Sequence, residues 1–202
     1  MSVLENTFQE TRATFVRVIH HFPKGSIWQT RYLSLPFTLV VTTLSFSHAT
    51  LSYGEKAAWF VFGILAWTLL EYIIHRWIFH YQPRTQVGIA LLERLHILHH
   101  GDPKDQTQVC IPFLLSVPMW AWIFANLVLV GGDQAASLLF TCGLAVGMTV
   151  YDITHFSTHY MNAPNVILRS LKKQHMLHHF SDHNLRFGVT SPLWDYVFRT
   201  YR

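Results

Sequence analysis

Histidine is distributed in this chain in a way that limits what the chain can fold into. Ten of its 14 histidines lie in four short blocks. The blocks are His75 and His80; His96, His99 and His100; His155 and His159; and His175, His178 and His179. Two of them repeat one pattern, H-I-L-H-H at 96–100 and H-M-L-H-H at 175–179, whose offsets of three and four place imidazoles on one face of a helix. We expect four remote parts of the chain to meet at one place.

Metal binding is the chemistry that such a gathering serves. Neutral imidazole is a ligand for zinc, iron, copper and nickel, and ten histidines supply about five ligands to each of two ions, leaving a position for water or oxygen. All ten are therefore candidate metal ligands, and their predicted catalytic role is to hold the metal ions. The offset of five between His75 and His80 requires either slight unwinding of the helix or ligation of two different ions. The alternative, a chain that is merely rich in surface histidine, does not explain two pairs and two triplets.

The composition indicates a membrane protein. Half of the residues are hydrophobic and only 13% are charged, against about 25% in an ordinary soluble domain. Uncharged runs predict four transmembrane helices at about 32–54, 57–78, 106–131 and 134–154, since about 20 apolar residues cross the hydrocarbon core. Residues 1–31 are predicted to form an N-terminal interfacial segment. The predicted fold is an all-α, single-domain integral membrane protein over residues 1–202, with a cytosolic helical cap that holds a histidine-rich dimetal centre.

The topology and the charges agree with this arrangement. Four spans return the chain to its starting side, so all four histidine blocks and both termini lie on one face of the membrane. Of the 15 Lys and Arg residues, only Lys56 falls on the opposite side, which indicates that the histidine face is cytoplasmic. The basic residues form no single stripe, so we predict no nucleic-acid partner. Cys110 and Cys142 lie in apolar stretches and are predicted to be packed thiols.

Three further residues are predicted to support the ligands from outside the metal sites. Asp152 precedes His155 by three residues and is predicted to orient a ligand imidazole through its second nitrogen, with a simple hydrogen bond at the helix end as the alternative. Glu71 has the same predicted role, with a pair to Arg76 or Arg94 as the alternative. His183, which follows the last block, is predicted to be a ligand, a group near the site, or a surface residue.

The choice of metal follows from the setting of the site. Zinc alone would suit hydrolysis, but a site made almost entirely of histidine that opens toward lipid suits oxygen activation, which needs a redox metal. We therefore expect two iron ions in the active enzyme, with zinc possible in the purified protein because imidazole sites accept both. The apolar helices would hold an acyl chain and direct one carbon at the metals.

The four blocks, H-R-W-I-F-H at 75–80, H-I-L-H-H at 96–100, H-F-S-T-H at 155–159 and H-M-L-H-H at 175–179, resemble the fatty acid hydroxylase superfamily. With the tail F-G-V-T-S-P-L-W-D-Y-V-F at 187–198, they are most similar to its fatty acid 2-hydroxylase branch. The resemblance covers about residues 65–200. It implies O2-dependent hydroxylation of the alpha carbon (C2) of a long-chain fatty acyl group, free or in ceramide. It also implies a cytochrome b5-type electron donor. The chain lacks the H-P-G-G haem motif of fused members, so we expect a separate donor.

Two alternatives stay open at this point. One is a sister oxidase of the superfamily that acts on sterols or carotenoids. The other is a non-catalytic membrane metal-binding protein. The expected location is the endoplasmic reticulum membrane in a eukaryote or the inner membrane in a bacterium.

Overall fold

The regular structure of this chain is helical, as predicted. The computed structural model describes residues 13, 14, 16 and 24–202. Among these residues the β-structure amounts to one isolated bridge between Gly25 and Gln108. The interfacial segment predicted for residues 1–31 falls for the most part outside the described residues.

Seven helices, several of them with a π-helical turn, make up the described part of the chain. They are α1 (Ile27–Gln29, π-helical Thr30–Ser34 and Leu35–His48), α2 (Tyr53–Ile73 and π-helical Ile74–Phe79), α3 (Gln86–Leu92, π-helical Glu93–Ile97 and Leu98–Gly101), α4 (Phe113–Leu129), α5 (Gln134–Tyr160), α6 (Val166–Phe180) and α7 (Leu193–Val197). Side-chain oxygens cap several of their starts; Asp133 accepts from Ala136 at α5, for example, and Asn165 from Leu168 at α6.

The helix bounds differ from the predicted spans in four main places. α1 ends at His48, because Ala49 is extended, and not near residue 54. α2 begins at Tyr53, because Ser52 and Glu55 form a reciprocal capping box, so Glu55 lies inside the helix and not in the turn before it. α4 begins only at Phe113, after Pro112, so residues 106–112 are not helical. α5 runs past the predicted end at 154 to Tyr160.

Two of the described helices are long and apolar enough to cross a membrane, namely Tyr53–Phe79 and Gln134–Tyr160. α4 is a shorter apolar helix of 17 residues. Large apolar side chains are exposed along the outer faces of the bundle, including Leu39, Leu65 and Trp122. Exposure of so much apolar surface is expected where lipid, and not water, is the solvent.

α5 is the central helix of the bundle, and α1, α2, α4 and α6 all pack against it. Its longest contact is with α2, where two glycines let the backbones meet: a Cβ atom on Gly143 would lie 2.1 Å from the carbonyl oxygen of Phe60, and a Cβ on Gly63 would lie 2.1 Å from that of Phe140. Below this crossing, Trp67 and Met148 are buried in the core. The close approach of α2 and α5 brings their histidine-bearing ends together.

The glycine crossing gives the first testable expectation. Gly143→Ala should lower the free energy of unfolding by about 1–3 kcal/mol, because the new methyl group meets backbone that cannot move without separating the helices. Gly54→Ala is the matched control: a Cβ there meets nothing within 4 Å, and alanine should stabilise the helix by up to about 1 kcal/mol. Thermal unfolding of both variants in detergent measures the difference. Equal unfolding midpoints for the two variants would contradict the close contact of α2 and α5 at Gly143.

Candidate metal centre

The ten histidines of the four blocks come together in two groups of five. The first group is His75, His80, His96, His100 and His178, and the second is His99, His155, His159, His175 and His179. Within each group, one ring nitrogen per histidine lies within 4.8 Å of all the others. A metal ion with Zn–N-type bonds of about 2.0–2.1 Å has ligands up to about 4.2 Å apart, so each group has nearly the spacing that one ion requires.

Helix geometry decides which histidine joins which group. In the block at 96–100 on α3, the first and third histidines, four residues apart, enter the first group, and the middle one, His99, enters the second. In the block at 175–179 on α6 the division is the same but the groups are exchanged, so His178 alone joins the first. α2 contributes only to the first group and α5 only to the second. The two groups are thus related by an exchange of α2 with α5 and of α3 with α6.

The offset of five between His75 and His80 is resolved by a π-helical turn. In an α-helix, residues five apart differ by about 140° in direction. The backbone over Ile74–Phe79 is π-helical, with hydrogen bonds to the fifth residue, so His75 and His80 face the same way. Local unwinding, one of the two possibilities left open by the sequence, is what the structure shows, and both side chains belong to one group.

Burial keeps these imidazoles in the form that binds metals. Removal from water lowers the pKa of His99 and that of His178 to about 3. It lowers the pKa of His96 and that of His175 well below the usual value for histidine. All four are therefore neutral at pH 7. A neutral imidazole has one nitrogen with a free lone pair, which is what a metal needs.

Backbone carbonyls fix the tautomer of three of the ten rings. Nδ1 of His75 lies 2.6 Å from the carbonyl oxygen of Phe187, and Nδ1 of His155 lies 2.8 Å from that of Val109. Nδ1 of His178 lies 2.6 Å from the carbonyl oxygen of Leu185. A carbonyl only accepts, so each Nδ1 carries the proton and donates it. The Nε2 atom of each ring then presents a lone pair to its group.

The packing of the Nε2 atoms fits a cation at the centre of each group. Nε2 of His75 lies 3.1 Å from Nε2 of His96, which lies 2.9 Å from Nε2 of His100. In the second group, Nε2 of His159 lies 3.1 Å from that of His99 and 2.8 Å from that of His175. A neutral ring nitrogen holds one proton or one lone pair, so these nitrogens cannot all satisfy one another. A positive ion shared by the lone pairs removes the conflict.

Neither buried carboxylate contacts a histidine ring, contrary to the sequence prediction. Asp152 accepts from the backbone N–H of Ile111 at 3.0 Å and from the hydroxyl of Thr30 at 2.9 Å, while the Val109 carbonyl takes the proton of His155. The predicted direct contact of Asp152 with the ring is therefore wrong.

The prediction for Glu71 needs the same correction. Its carboxylate accepts from the backbone N–H groups of Val189 and Thr190 and from the Thr190 hydroxyl. Both the contact with His75 and the alternative pair with Arg76 or Arg94 are replaced by these bonds. The proton of His75 goes to Phe187 instead. Each carboxylate thus binds backbone from a distant loop, for which the local sequence carries no signal.

His183 lies beside the centre but outside both groups of five. Its ring centroid is 5.0 Å from that of His100 and 6.1 Å from that of His178. The residue is exposed, so it is a surface residue that lies near the site. Its role at the site stays a prediction.

An apolar cavity of about 460 Å³ reaches both groups. His96 from the first group and His155 from the second line it, together with apolar residues such as Trp67, Leu115 and Met119. Lys24, Arg94 and Gln108 add polar groups to a lining that is otherwise apolar. The volume falls within the range of about 300–1,000 Å³ typical of small-molecule sites. The lining residues could not be predicted from the sequence, because α4 and the segment at 107–112 approach the site only in the tertiary structure.

These features define a class of protein: a chain whose described residues form helices, two of them long and apolar enough to cross a membrane, with a paired histidine site beside an apolar cavity. The model of the fatty acid hydroxylase family matches residues 60–200. The chain belongs to the fatty acid hydroxylase family, and the resemblance seen in the four histidine blocks is confirmed.

Individual relatives give the same result. A dihydroceramide fatty acyl 2-hydroxylase of Arabidopsis thaliana is 33% identical over 177 residues, covering 86% of this chain and 72% of the relative. The ceramide very long chain fatty acid hydroxylase of Saccharomyces cerevisiae is 33% identical over 224 residues, which cover 100% of this chain and 56% of the relative. A solved structure of full-length scs7p, in which only the hydroxylase domain is visible, superposes with a TM-score of 0.80 at 31% identity, over 89% of this chain and 68% of that one. This chain spans only part of the length of each.

Loss of one imidazole should empty one group and spare the other. We expect His99→Ala to lower bound divalent metal by about one ion per chain, because the second group loses a buried ligand while the first keeps all five. Metal content is measured by atomic emission on protein purified in detergent.

His48→Ala is the control for this experiment. His48 lies at the end of α1 and belongs to neither group, so its replacement should leave metal content at the wild-type level. Unchanged metal content in His99→Ala would contradict the assignment of His99.

Proposed function

We propose that this protein is a di-iron membrane monooxygenase that hydroxylates the alpha carbon (C2) of long-chain fatty acyl groups, free or in ceramide. The observation that carries the proposal is the apolar cavity, because it is lined by one histidine from each group of five, His96 and His155. A chain in this cavity lies beside both candidate metal positions at once. Relatives at about one-third identity, whose names describe fatty acyl and ceramide hydroxylases, support the choice of substrate.

The proposed ligands are the ten histidines of the two groups, five for each ion, and the proposed metal in the active enzyme is iron. When bound, a pair of redox-active iron ions supplies the activation of O2 that hydroxylation of an unactivated C–H bond needs. The donor set, which is made entirely of neutral imidazoles, leaves the positive charge of the ions uncancelled. Zinc fits the same nitrogen ligands and is a proposed occupant in purified protein.

The residues of the chain contribute binding, orientation and exclusion of water. Trp67, Leu115 and Met119 would hold the acyl chain by apolar contact and limit its mobility, so that one carbon stays near the metals. The apolar lining also keeps water away from the reacting carbon. His75, His155 and His178 keep their protons on Nδ1 through the carbonyl bonds described above, so their lone pairs stay directed at the centre of each group.

The overall reaction sets the demand for a partner. Hydroxylation inserts one oxygen atom of O2 into the C–H bond and reduces the other to water, which consumes two electrons and two protons. We propose that a separate cytochrome b5-type protein, or another electron donor of similar role, supplies the electrons. No nucleic acid takes part.

We propose that the whole chain, residues 1–202, acts as one hydroxylase domain in the membrane. α1, α2, α4 and α5 would span the bilayer, and α3, α6 and the segment from 181 onward would form the cap. The metal centre and both termini would lie on the cytoplasmic side, of the endoplasmic reticulum or of a bacterial inner membrane. The distribution of Lys and Arg supports this orientation. The one exception is Lys56, which lies in the first turn of α2, where its Nζ donates to the carbonyl of Phe46 at 2.7 Å.

Product analysis tests the proposed reaction. Cells that express the wild-type chain should accumulate 2-hydroxylated fatty acyl lipids, and His99→Ala should reduce them by at least about 100-fold, because the ligand set of one ion is broken. Mass spectrometry of extracted lipids, with fragmentation to locate the hydroxyl group, measures the product. His48→Ala should retain full activity.

The same experiment separates the alternatives. Hydroxylated sterols or carotenoids in place of fatty acyl products would identify a sister oxidase. Metal binding without oxygen consumption on any lipid, in the presence of iron and a reductase system, would identify a non-catalytic metal-binding protein.

Cavity size should set the preferred length of the acyl chain. Leu115→Trp fills part of the cavity, so we expect the product profile to shift toward shorter acyl chains. Leu114→Trp is a matched control on the same helix, since Leu114 is 66% exposed on the outer face. Competition assays with mixed acyl lengths measure the shift. An equal shift in both variants would show that the cavity does not hold the chain.

A further inference from the structure

Two buried carboxylates occupy equivalent places in the two halves of the site. Glu71 lies one helical turn before His75 on α2, and Asp152 lies one turn before His155 on α5. Both carboxylates are buried, with at most 3% of either residue exposed. Neither accepts a proton from the histidine that follows it. Each binds an irregular segment from the opposite half of the molecule.

The bonds around the two segments follow one pattern. Asp152 accepts from the N–H of Ile111, and two residues earlier the carbonyl of Val109 accepts from His155. Glu71 accepts from the N–H of Val189, and two residues earlier the carbonyl of Phe187 accepts from His75. In each case the carboxylate and the histidine of one helix bind the same short segment two residues apart.

The exchange that relates the metal groups also relates these two arrangements. The segment at 109–111 follows α3 and serves α5, whereas the segment at 187–190 follows α6 and serves α2. α3 and α6 are the helices that exchange when the two groups are interchanged, as are α5 and α2. The same solution therefore occurs once for each group of histidines.

We propose that Glu71 and Asp152 are paired positioning residues, each dedicated to one metal ion. Glu71 holds Phe187 so that its carbonyl fixes the proton of His75, and Asp152 holds Val109 so that its carbonyl fixes the proton of His155. The inference rests on the proposed dimetal function. Each carboxylate should therefore affect one ion only: Glu71 the ion of the first group and Asp152 the ion of the second.

A second carboxylate also supports the segment at 187–190. Asp195 accepts from the N–H groups of Phe187 and Gly188, both at 2.8 Å, and from the Thr200 hydroxyl. It lies at the start of α7 and anchors the C-terminal end of the chain to the same turn. The segment at 109–111 has further support as well, because Asp105 accepts from the side chain of Gln108 and Gly25 forms the isolated bridge with Gln108. Each segment is therefore held by more than its own carboxylate.

The test uses crossed variants and zinc binding, not turnover. In His80→Ala, only the second group keeps five ligands, and in His159→Ala only the first does. Metal-free protein in detergent is titrated with Zn²⁺ against a competing chelator. In the His80→Ala background, Asp152→Ala should weaken the remaining site by about 10–100-fold and Glu71→Ala should not change it. In the His159→Ala background, Glu71→Ala should weaken the site and Asp152→Ala should not.

The controls distinguish positioning from general structural damage. Glu55→Ala removes a carboxylate that also accepts from backbone N–H and hydroxyl groups, at the start of α2 and away from the site, and it should leave both zinc affinities unchanged. Glu71→Gln keeps an oxygen for the N–H of Val189 and should bind zinc as the wild type does. Glu71→Asp keeps the charge but withdraws it by one methylene group and should weaken the first site. This pair stands in for Glu71→Ala if that variant does not fold.

The outcomes separate this inference from the proposed function. A wild-type chain that binds fewer than two zinc ions would overturn the dimetal function itself. Two ions in the wild type, with both variants weakening both sites equally or neither site at all, would overturn only the pairing of carboxylates with ions. Weak binding by Glu71→Gln alongside wild-type binding by Glu71→Asp would show that charge, and not position, is what Glu71 supplies.

Discussion

The mutual contact of buried imidazole nitrogens is the constraint on which the rest of this structure depends. Ring nitrogens of five histidines crowd together in each group, and none can donate to more than one neighbour. Leaving buried polar atoms unsatisfied costs about 1–3 kcal/mol each, so two groups of neutral rings without a bound cation to share their lone pairs would oppose folding. The glycine crossing of α2 and α5 forces their ends together nonetheless. If each group holds an ion as proposed, the stability of this fold is expected to depend on ion binding.

Helical periodicity turns two short sequence blocks into two sites. Because residues four apart lie on nearly one line along the helix and the residue three along lies to one side, each H-x-x-H-H block can serve two neighbouring ions. α3 and α6 therefore bridge the centre, and α2 and α5 each close one side of it. The π-helical turn at Ile74–Phe79 places His75 and His80, which are five residues apart, on the same side of α2. Adjacent His178 and His179 belong to different groups for the same reason that His99 and His100 do.

The sequence was enough to predict the helical class, the ten histidines and their convergence, because spacing along a helix and apolar run length are local properties. It was not enough to predict how the histidines divide into groups, since this depends on the direction in which one helix faces another. The partners of Glu71 and Asp152 were missed for a related reason. They are backbone N–H groups at Val189 and Ile111, far along the chain, in segments without helical or strand periodicity. The boundary at His48 was misplaced because Ala49 to Ser52 are as uncharged as the helix before them.

The two groups of histidines are related approximately by a two-fold exchange of helices, but their surroundings differ, because only one of the two supporting segments lines the cavity. Val109 and Ile111, which support the second group, line the cavity. Their counterparts are closed off: the Phe187 ring packs 5.6 Å from that of His75 and 5.5 Å from that of His178, and Val189 is part of the buried core. One side of the paired site is thus sealed by aromatic packing, and the other opens to an apolar space. Under the proposed function, a symmetric site would accept substrate from either side, whereas this arrangement would give the acyl chain one direction of approach and so favour reaction at a single carbon.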